Sequence, residues 1–489
     1  MDEGYSSNLY VVETRQAAEE LAIRALIERA PLASSLAMAF KGEGFTLALV
    51  GGPVRDAILG RLGNDLDFTT NAAPLETKKI LKKWAENVWD LGIEFGTIAA
   101  KRGDTTVEVT TYRSEKYESD SRKPEVQFGT SLEGDLSRRD FTVNAMALEL
   151  TGAQPKFVDL FNGIEDLGQK IIRTPGKPED SFSDDPLRMM RAARFASQLD
   201  FSIAPDVVAA MKSMAKRLEI ISAERIREEF TKLLMSPNPR VGLSALVETG
   251  LADFAIPELP KLRLEIDEHH HHKDVYEHTI TVVEQAIALE HRLGGPNLVL
   301  RLAALLHDIG KPKTRNLLPG GGVSFHHHEV VGARMAKKRL QELRFSNEII
   351  DQVETLVALH LRFHGYGDGE WTDSAVRRYV RDAGDLLTHL HLLTRADCTT
   401  RNAKKAARLA ATYDSLEERI NRLAEEEELS KIRPDLDGQE VMELLAIKPS
   451  RVVGEAMDYL LELRLDEGPL GKEEATRRLM AWWELRGAK

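Results

Sequence analysis

The chain of 489 residues has a single cysteine, Cys398. No intrachain disulfide framework can therefore hold it, and a reducing compartment is expected. Long apolar runs are missing as well, so no helix is expected to span a bilayer and no membrane partner is expected. The N-terminus carries Asp2 and Glu3 where a signal peptide would have basic residues ahead of an apolar stretch, which makes the cytoplasm the predicted location. Positive charge is in deficit, with 66 Lys and Arg against 78 Asp and Glu. This excludes a surface coated with basic residues, so any RNA would have to meet a local patch. Arg188, Arg191 and Arg194 at helical spacing, with Arg225 and Arg227, are the candidates, but the spacing reads equally as a solvated helix face with carboxylate partners. Repeats are absent, and the only low-complexity segment is the internal tetrad His269 to His272, read as a solvated run.

The length calls for two to four domains, and 42% apolar residues give enough material to bury. Residues 14 to 40 read as one amphipathic helix. From Phe45 to about Leu150, β-like runs at Phe45 to Val50, Thr97 to Ala100 and Thr106 to Thr111 alternate with helical ones. After Pro175 to Pro178 the pattern becomes long, charged and helical, with Pro186 in a first-turn position. All fourteen histidines lie at or beyond His269, which marks a later domain with its own chemistry. An acidic helix follows at Leu416 to Leu429, and Pro434 to Gly438 breaks the pattern before the last helices. The expected fold is α+β: a small mixed α/β head over residues 1–175, a helical neck over 176–265, an all-α domain over 266–400 and a helical tail over 401–489.

The chemistry in the head starts at Leu47 to Asn71. Gly51 and Gly52 follow an apolar strand, and without a Cβ they let backbone amides approach a phosphate, while Val54 to Leu59 can begin a helix. Asp65 and Asp67 stand two residues apart, so in a strand both carboxylates share one face. That spacing suits divalent metal beside a phosphate chain, and Arg55 and Asp56 close behind the glycines sharpen the pattern. A third carboxylate is wanted for two ions, and Glu108 is the candidate, with Val107 and Val109 facing the core and Glu108 the opposite side. Glu108 reads equally as an ordinary exposed strand residue.

These residues resemble the class II tRNA nucleotidyltransferase and bacterial poly(A) polymerase family of the DNA polymerase beta superfamily. Gly51, Gly52, Arg55, Asp56, Asp65 and Asp67 look like its first motif, whose aspartates bind catalytic Mg2+. Arg138, Arg139, Asp140, Asn144 and Ala145 match the second, associated with the ribose and phosphates. Asp159, Gly163, Asp166, Leu167, Ile172 and Arg173 match the third, linked to motion between head and neck. Asp184, Asp185 and Arg188, in Asp-Asp-Pro-Leu-Arg, resemble the motif that reads the incoming base, with Asp where the family usually has Glu. The resemblance assigns Asp185 and Arg188 to the edge of cytosine or adenine, and Arg191 and Arg194 continue that helix. Glu224, Arg225 and Arg227 look like the last motif, a structural neck helix. The polar stretch from Arg113 to Val126 reads as a mobile loop, and its presence is similar to enzymes that add the terminal adenosine rather than only two cytidines.

In the histidine-rich part, His278, the pair His307 and Asp308, and Asp397 reproduce the ligand order of the HD phosphohydrolase family over roughly residues 266 to 400. His328 and His360 match the fuller set of dinuclear members, and each reads equally as a surface histidine. His326, His327, His364, His389 and His391 are left unassigned. Leu298 to Leu306 is read as the helix ending in His307 and Asp308. Imidazole with carboxylate suits a divalent transition metal or Mg2+. The resemblance implies an enzyme that adds C, C and A to the tRNA 3′ end from CTP and ATP without a template, fused to a domain with phosphohydrolase activity or a role as RNA scaffold. A poly(A) polymerase or A-adding enzyme shares the motifs. An HD phosphohydrolase with a nucleotide-sensing head is the alternative of another class, and a noncatalytic RNA-binding scaffold a third.

Overall fold

The computed structural model describes residues 15–29, 31–91, 96–116, 125–128, 131–263, 274–319, 323–366, 371–400, 402–427 and 433–487. The His269 to His272 tetrad and residues 117–124 of the polar stretch lie outside them. The chain divides into two compact units, Met1–Pro257 and Glu258–Lys489.

The first unit opens with α1 (Arg15–Arg29) and α2 (Pro31–Gly42), so the single helix expected over residues 14 to 40 is two helices. Pro31 is the cause: it lacks the amide a continuing helix needs and is well suited to a first turn. Then come β1 (Leu47–Val50), α3 (Gly52–Ile58), β2 (Asp65–Thr70), α4 (Pro74–Trp84), β3 (Asn87–Asp90), β4 (Thr97–Arg102) and β5 (Thr105–Thr111). A hairpin of β6 (Arg113–Lys116) and β7 (Glu125–Phe128) follows, so the flanks of the expected loop pair as antiparallel strands. Next are α5 (Leu132–Ser137), a 3-10 turn at Thr142–Asn144, β8 (Met146–Glu149), β9 (Lys156–Asp159) and α6 (Gly163–Gln169). Seven strands form one sheet in the order β3-β4-β5-β2-β1-β8-β9. β2 and β5 are parallel neighbours with Asp67 opposite Glu108, while β1 pairs antiparallel with both β2 and β8. Leu66, Phe68, Val107 and Val109 fill the core side, which leaves Asp65, Asp67 and Glu108 on the opposite face.

From β10 (Ile171–Ile172) the first unit turns helical: α7 (Pro178–Asp184), α8 (Leu187–Leu199), the short β11 (Ser202–Ile203), α9 (Pro205–Met214), α10 (Ala223–Leu234), α11 (Pro239–Glu248) and α12 (Ala252–Ala255). The helix α8 is its hub, packed by α10 and α11, and a Cβ on Gly242 of α11 would stand 2.6 Å from the Ala193 carbonyl. That glycine lets the two backbones touch.

The second unit is built from α13 (Val275–Leu289), α14 (Leu298–Leu306), α15 (Lys311–Thr314), the strand pair β12 (Asn316–Leu317) and β13 (Val323–Ser324), α16 (His328–Glu342), α17 (Asn347–Leu359), α18 (Asp373–Ala383), α19 (Leu387–Asp397) and α20 (Ala403–Glu427). The tail α21 (Gly438–Leu445), α22 (Arg451–Glu467) and α23 (Gly471–Gly487) has its own small core around Val441, Leu460 and Leu479. The fold class is that expected, α+β with the seven-stranded sheet in the head and, besides the β6–β7 hairpin, only two-residue strand pairs among the described residues beyond it. Among the described residues no helix is long and apolar enough to cross a membrane.

Candidate functional site

In the head, β1 ends in a turn that only glycine adopts readily: Gly51 has φ 73° and ψ −137°. The Arg139 guanidinium lies against it, so close that a Cβ on Gly51 would stand 2.9 Å from Nη1. Beyond the turn, Asp65, Asp67 and Glu108 share the open face of β2 and β5. The Asp67 side chain is still reached by water, yet the surrounding protein desolvates it. Burial first, then Glu108 and Asp65, push its carboxyl up to about 6 against the pull of Arg139. Glu108 is likewise pushed up, by burial and by Asp65. Three carboxylates held in mutual repulsion, offering oxygen donors alone, fit a hard divalent cation such as magnesium.

Arg55, Asp56, Asp140 and Asn144 of the first two motifs form one chain of hydrogen bonds. Asp56 accepts from Arg55 Nε and Nη2, both at 3.0 Å, and from Arg61 Nε at 3.0 Å. Arg55 Nη1 donates to Asn144 Oδ1 at 2.6 Å, and Asn144 Nδ2 donates to Asp140 at 3.1 Å. Asp140 also accepts from Arg191 Nε and Nη2, at 2.9 and 2.5 Å. Burial alone would raise the Asp140 carboxyl, but the Arg191 guanidinium and Asn144 bring it down to about 2. Arg191 lies 3.5 Å from Glu229 on α10, and Arg194 pairs with the same carboxylate at 2.6 Å. The α8 arginines are therefore not the exposed basic patch that their spacing allowed. Arg188 and Arg194 are buried, so α8 is not the solvated face of the alternative either, and of its carboxylate partners only those of Arg191 and Arg194 are met.

The base-reading candidates follow the same inward pattern. Arg188 Nη1 donates to Ser181 Oγ at 2.9 Å and Nη2 to the Arg138 carbonyl at 2.6 Å. Asp184 closes α7, and Asp185, next in the chain, accepts from Leu187 N and pairs with Arg225 at 2.7 Å. Asp159 accepts from the amides of Gly163 and Ile164 at the start of α6, and Asp166 accepts from Thr142 Oγ1 and pairs with Arg173. A Cβ on Gly163 would stand 2.4 Å from the Thr142 carbonyl, so the third motif clamps α6 onto the turn that carries Asn144. Asp135 and Glu229, both buried and both gripping arginines of this region, were missed in the sequence. For Asp135 the signal was there: it stands three and four residues before Arg138 and Arg139.

In the second unit all six ligand candidates converge. Two groups, His278 with His307 and Asp397, and Asp308 with His328 and His360, each bring their donor atoms within 4.8 Å of one another. Asp308 joins them, with Oδ2 3.2 Å from His307 Nε2 and Oδ1 3.2 Å from His328 Nε2. Each imidazole is held from behind. Nδ1 of His307, His328 and His360 contacts the carbonyl three residues earlier, Ala304, Phe325 and Val357, at 2.8, 2.8 and 2.6 Å, and His278 Nδ1 lies 3.0 Å from Thr399 Oγ1. A carbonyl accepts only, so Nδ1 carries a proton in those three rings and Nε2 is the atom turned to the cluster.

Burial would lower the His307 imidazole, but Asp308 and Asp397 raise it to about 10, while burial and then His307 press His360 down to about 3. His360 Nε2 is buried without a hydrogen-bond partner. A neutral imidazole with an orphaned Nε2, beside carboxylates whose charge draws a proton onto His307, fits a divalent cation. Lys311 Nζ, 2.6 Å from Asp308 Oδ2, supplies positive charge there as well. Of the unassigned histidines, His391 lies 3.5 Å from Glu417 and stacks on Tyr379, and His326 and His327 are exposed.

The sheet-borne carboxylates and the histidine–aspartate cluster define a nucleotidyltransferase-type head followed by a helical metal-binding domain. Residues 47–173 match the Poly A polymerase head domain, residues 200–262 the "Probable RNA and SrmB- binding site of polymerase A", and residues 275–427 the HD domain. The chain thus carries a Poly A polymerase head domain and a polymerase-type RNA-binding region in its first half and an HD domain in its second. It is 46% identical over 222 residues to a CCA-adding enzyme of Enterococcus faecalis, covering 45% of this chain and 52% of that one, and 44% identical over 228 residues to one of Streptococcus sanguinis, covering 46% and 55%. The chain thus spans about half the length of these curated relatives. A Bacillus stearothermophilus CCA-adding enzyme in complex with CTP superposes with a TM-score of 0.64 at 25% identity, covering 94% of this chain and 98% of that one. A Thermotoga maritima CCA-adding enzyme complexed with tRNA has a TM-score of 0.60 at 19% identity over 94% and 98% of the two chains, a likeness of fold.

Proposed function

We propose that this chain is a CCA-adding tRNA nucleotidyltransferase, extending the tRNA 3′ end with C, C and A from CTP and ATP without a nucleic-acid template. The observation that carries the reading is the register of β2 with β5: Asp67 stands opposite Glu108, with Asp65 on the same face and Arg139 acting on Asp67 from the glycine turn. Asp65 and Asp67, with Glu108, would hold magnesium, which when bound makes the RNA 3′ hydroxyl a better nucleophile and neutralises the departing pyrophosphate. The Gly51 turn lets Arg139 approach, and Arg139 offers the triphosphate positive charge. Asp185 and Arg188, tied to the neck and to the Arg138 carbonyl, are proposed to present acceptor and donor atoms to the incoming base. The similar proteins support the choice, being CCA-adding enzymes, one of them in complex with CTP and another with tRNA.

The six-ligand cluster favours a second activity, hydrolysis of a phosphoester in the HD domain, with His278, His307, Asp308, His328, His360 and Asp397 as ligands. The proposed organisation remains a head (1–175), neck (176–265), HD domain (266–400) and tail (401–489). The test offers purified protein a tRNA ending before CCA, with magnesium and each nucleoside triphosphate singly and together, and resolves products at single-nucleotide length. Addition that stops after three residues supports the proposal. An unlimited adenosine ladder would indicate a poly(A) polymerase, two cytidines the partial enzyme, and no addition a phosphohydrolase or scaffold.

A further inference from the structure

Asp135 is a buried carboxylate that the motif resemblance does not assign. Its helix, α5, starts on the Ser131 side chain, which accepts from Gly134 N, and ends at Arg138. Spacing of three and four residues brings Arg138 and Arg139 to the side of the helix where Asp135 points. Asp135 Oδ1 accepts from Arg138 Nη2 at 2.6 Å and Nε at 3.2 Å, and Oδ2 accepts from Arg139 Nη2 at 3.2 Å. The Asp135 side chain is fully shielded, whereas those of Arg138 and Arg139 keep 16% and 19% of their surface in water. Thus the anchor is inside and the cations reach outward. Burial would push the Asp135 carboxyl up, but Arg139 and Arg138 hold it below its ordinary value, so it stays charged. Arg139 Nη1 meets the Gly51 turn, and Arg139 Nε is buried with no hydrogen-bond partner. Asp135 is the carboxylate that fixes where that guanidinium points.

We propose that Asp135 is a positioning residue for the polyphosphate of the incoming nucleotide, presetting Arg138 and Arg139 as a pair beside the Gly51 turn. This rests on the nucleotidyl-transfer reading above. Without the shared anion the two guanidiniums repel each other and Arg139 leaves the turn, and a triphosphate must then order them itself. The ligand class is a nucleoside triphosphate or another linear polyphosphate, recognised by guanidinium geometry and charge.

The experiment uses the full chain and the Asp135→Asn variant, which keeps the shape and removes the charge. The KM for CTP on a tRNA ending before CCA should rise about 10- to 100-fold, the factor carried by a lost charge-assisted hydrogen bond, while kcat at saturating CTP changes far less. Calorimetric binding of inorganic tripolyphosphate with magnesium should weaken by the same factor, and binding of CMP should not. Asp135→Glu should recover part of the loss, and Asp135→Asn combined with Arg139→Gln should be no worse than Arg139→Gln alone. An unchanged KM overturns the proposal, as does equal loss of tripolyphosphate and CMP binding or strict additivity in the double variant. If Asp135→Asn does not melt cooperatively, the same cycle is run with Asp135→Glu and the same outcomes decide. Tripolyphosphate binding needs no reaction, so it tests Asp135 even where the wild type adds no nucleotide, a result that would count against the transfer reading instead.

Discussion

Replacing Gly310 with alanine should dismantle the HD cluster while sparing the head. Gly310 follows His307 and Asp308 and passes under the first turn of α16. A methyl group there would stand 2.1 Å from the His328 carbonyl oxygen, 2.8 Å from Gly332 N and 3.0 Å from His328 C. All three are backbone atoms, so no side-chain rotation relieves the overlap, and the two segments must separate by roughly 1 Å to restore normal contact. Overpacking of this kind costs about 1–3 kcal/mol, sometimes more. Metal sites hold their ligands to within about 0.2 Å, so a displacement several times larger separates His328 from its partner Asp308 and breaks the second triad. Chemical denaturation with and without Mn2+ reads both effects: Gly310→Ala should be less stable and should lose the stabilisation that metal gives the HD domain, while tRNA extension persists. A variant within about 0.5 kcal/mol of wild type, with metal stabilisation intact, would refute the close-approach argument.

Asp140, held at about 2 in the folded protein, contributes stability at neutral pH that is lost as pH falls from its ordinary value near 3.8 through 2, a change of about 2 kcal/mol. Acid-denaturation curves of Asp140→Asn should lack that segment, and an unchanged acid limb would contradict the Arg191 pairing. Asp67 has the opposite sign: its carboxyl is raised to about 6, so metal-free protein should gain stability as pH falls from 6 towards 4. Melting curves in EDTA should show this gain in wild type and not in Asp67→Asn, and magnesium should reduce it; a flat profile would argue against a strained carboxylate trio. Asp65→Ala should abolish nucleotide addition and keep phosphohydrolysis, and His307→Ala should do the reverse. Loss of both activities from either change in a folded protein would argue against separate sites.

The parts of this molecule that were legible in the sequence are those set by local rules. The alternation at Asp65 to Phe68 and Val107 to Val109 gave the shared face of the carboxylates, because a strand has period two whatever it pairs with. The apolar run Leu298 to Leu306 gave the helix that delivers His307 and Asp308. What depended on distant partners was not legible. Arg191 looks like any helix-face cation until Asp140, 51 residues earlier, and Glu229, 38 residues later, arrive beside it. Equally, the split of six ligands into two triads joined by Asp308 comes from the packing of α13, α14, α16, α17 and α19, which spacing does not encode. The break at Pro31 was a local signal overlooked in favour of the apolar periodicity around it.

The most direct test of the account is cation binding at the head. Mn2+ titration followed by electron paramagnetic resonance, in a His307→Ala background that silences the HD cluster, should reveal sites that fill when CTP is added. Adding Asp65→Asn and Asp67→Asn should empty them, and tRNA extension should disappear in parallel. CTP-dependent Mn2+ binding that survives both changes would contradict the claim that these two carboxylates hold the ions for nucleotidyl transfer.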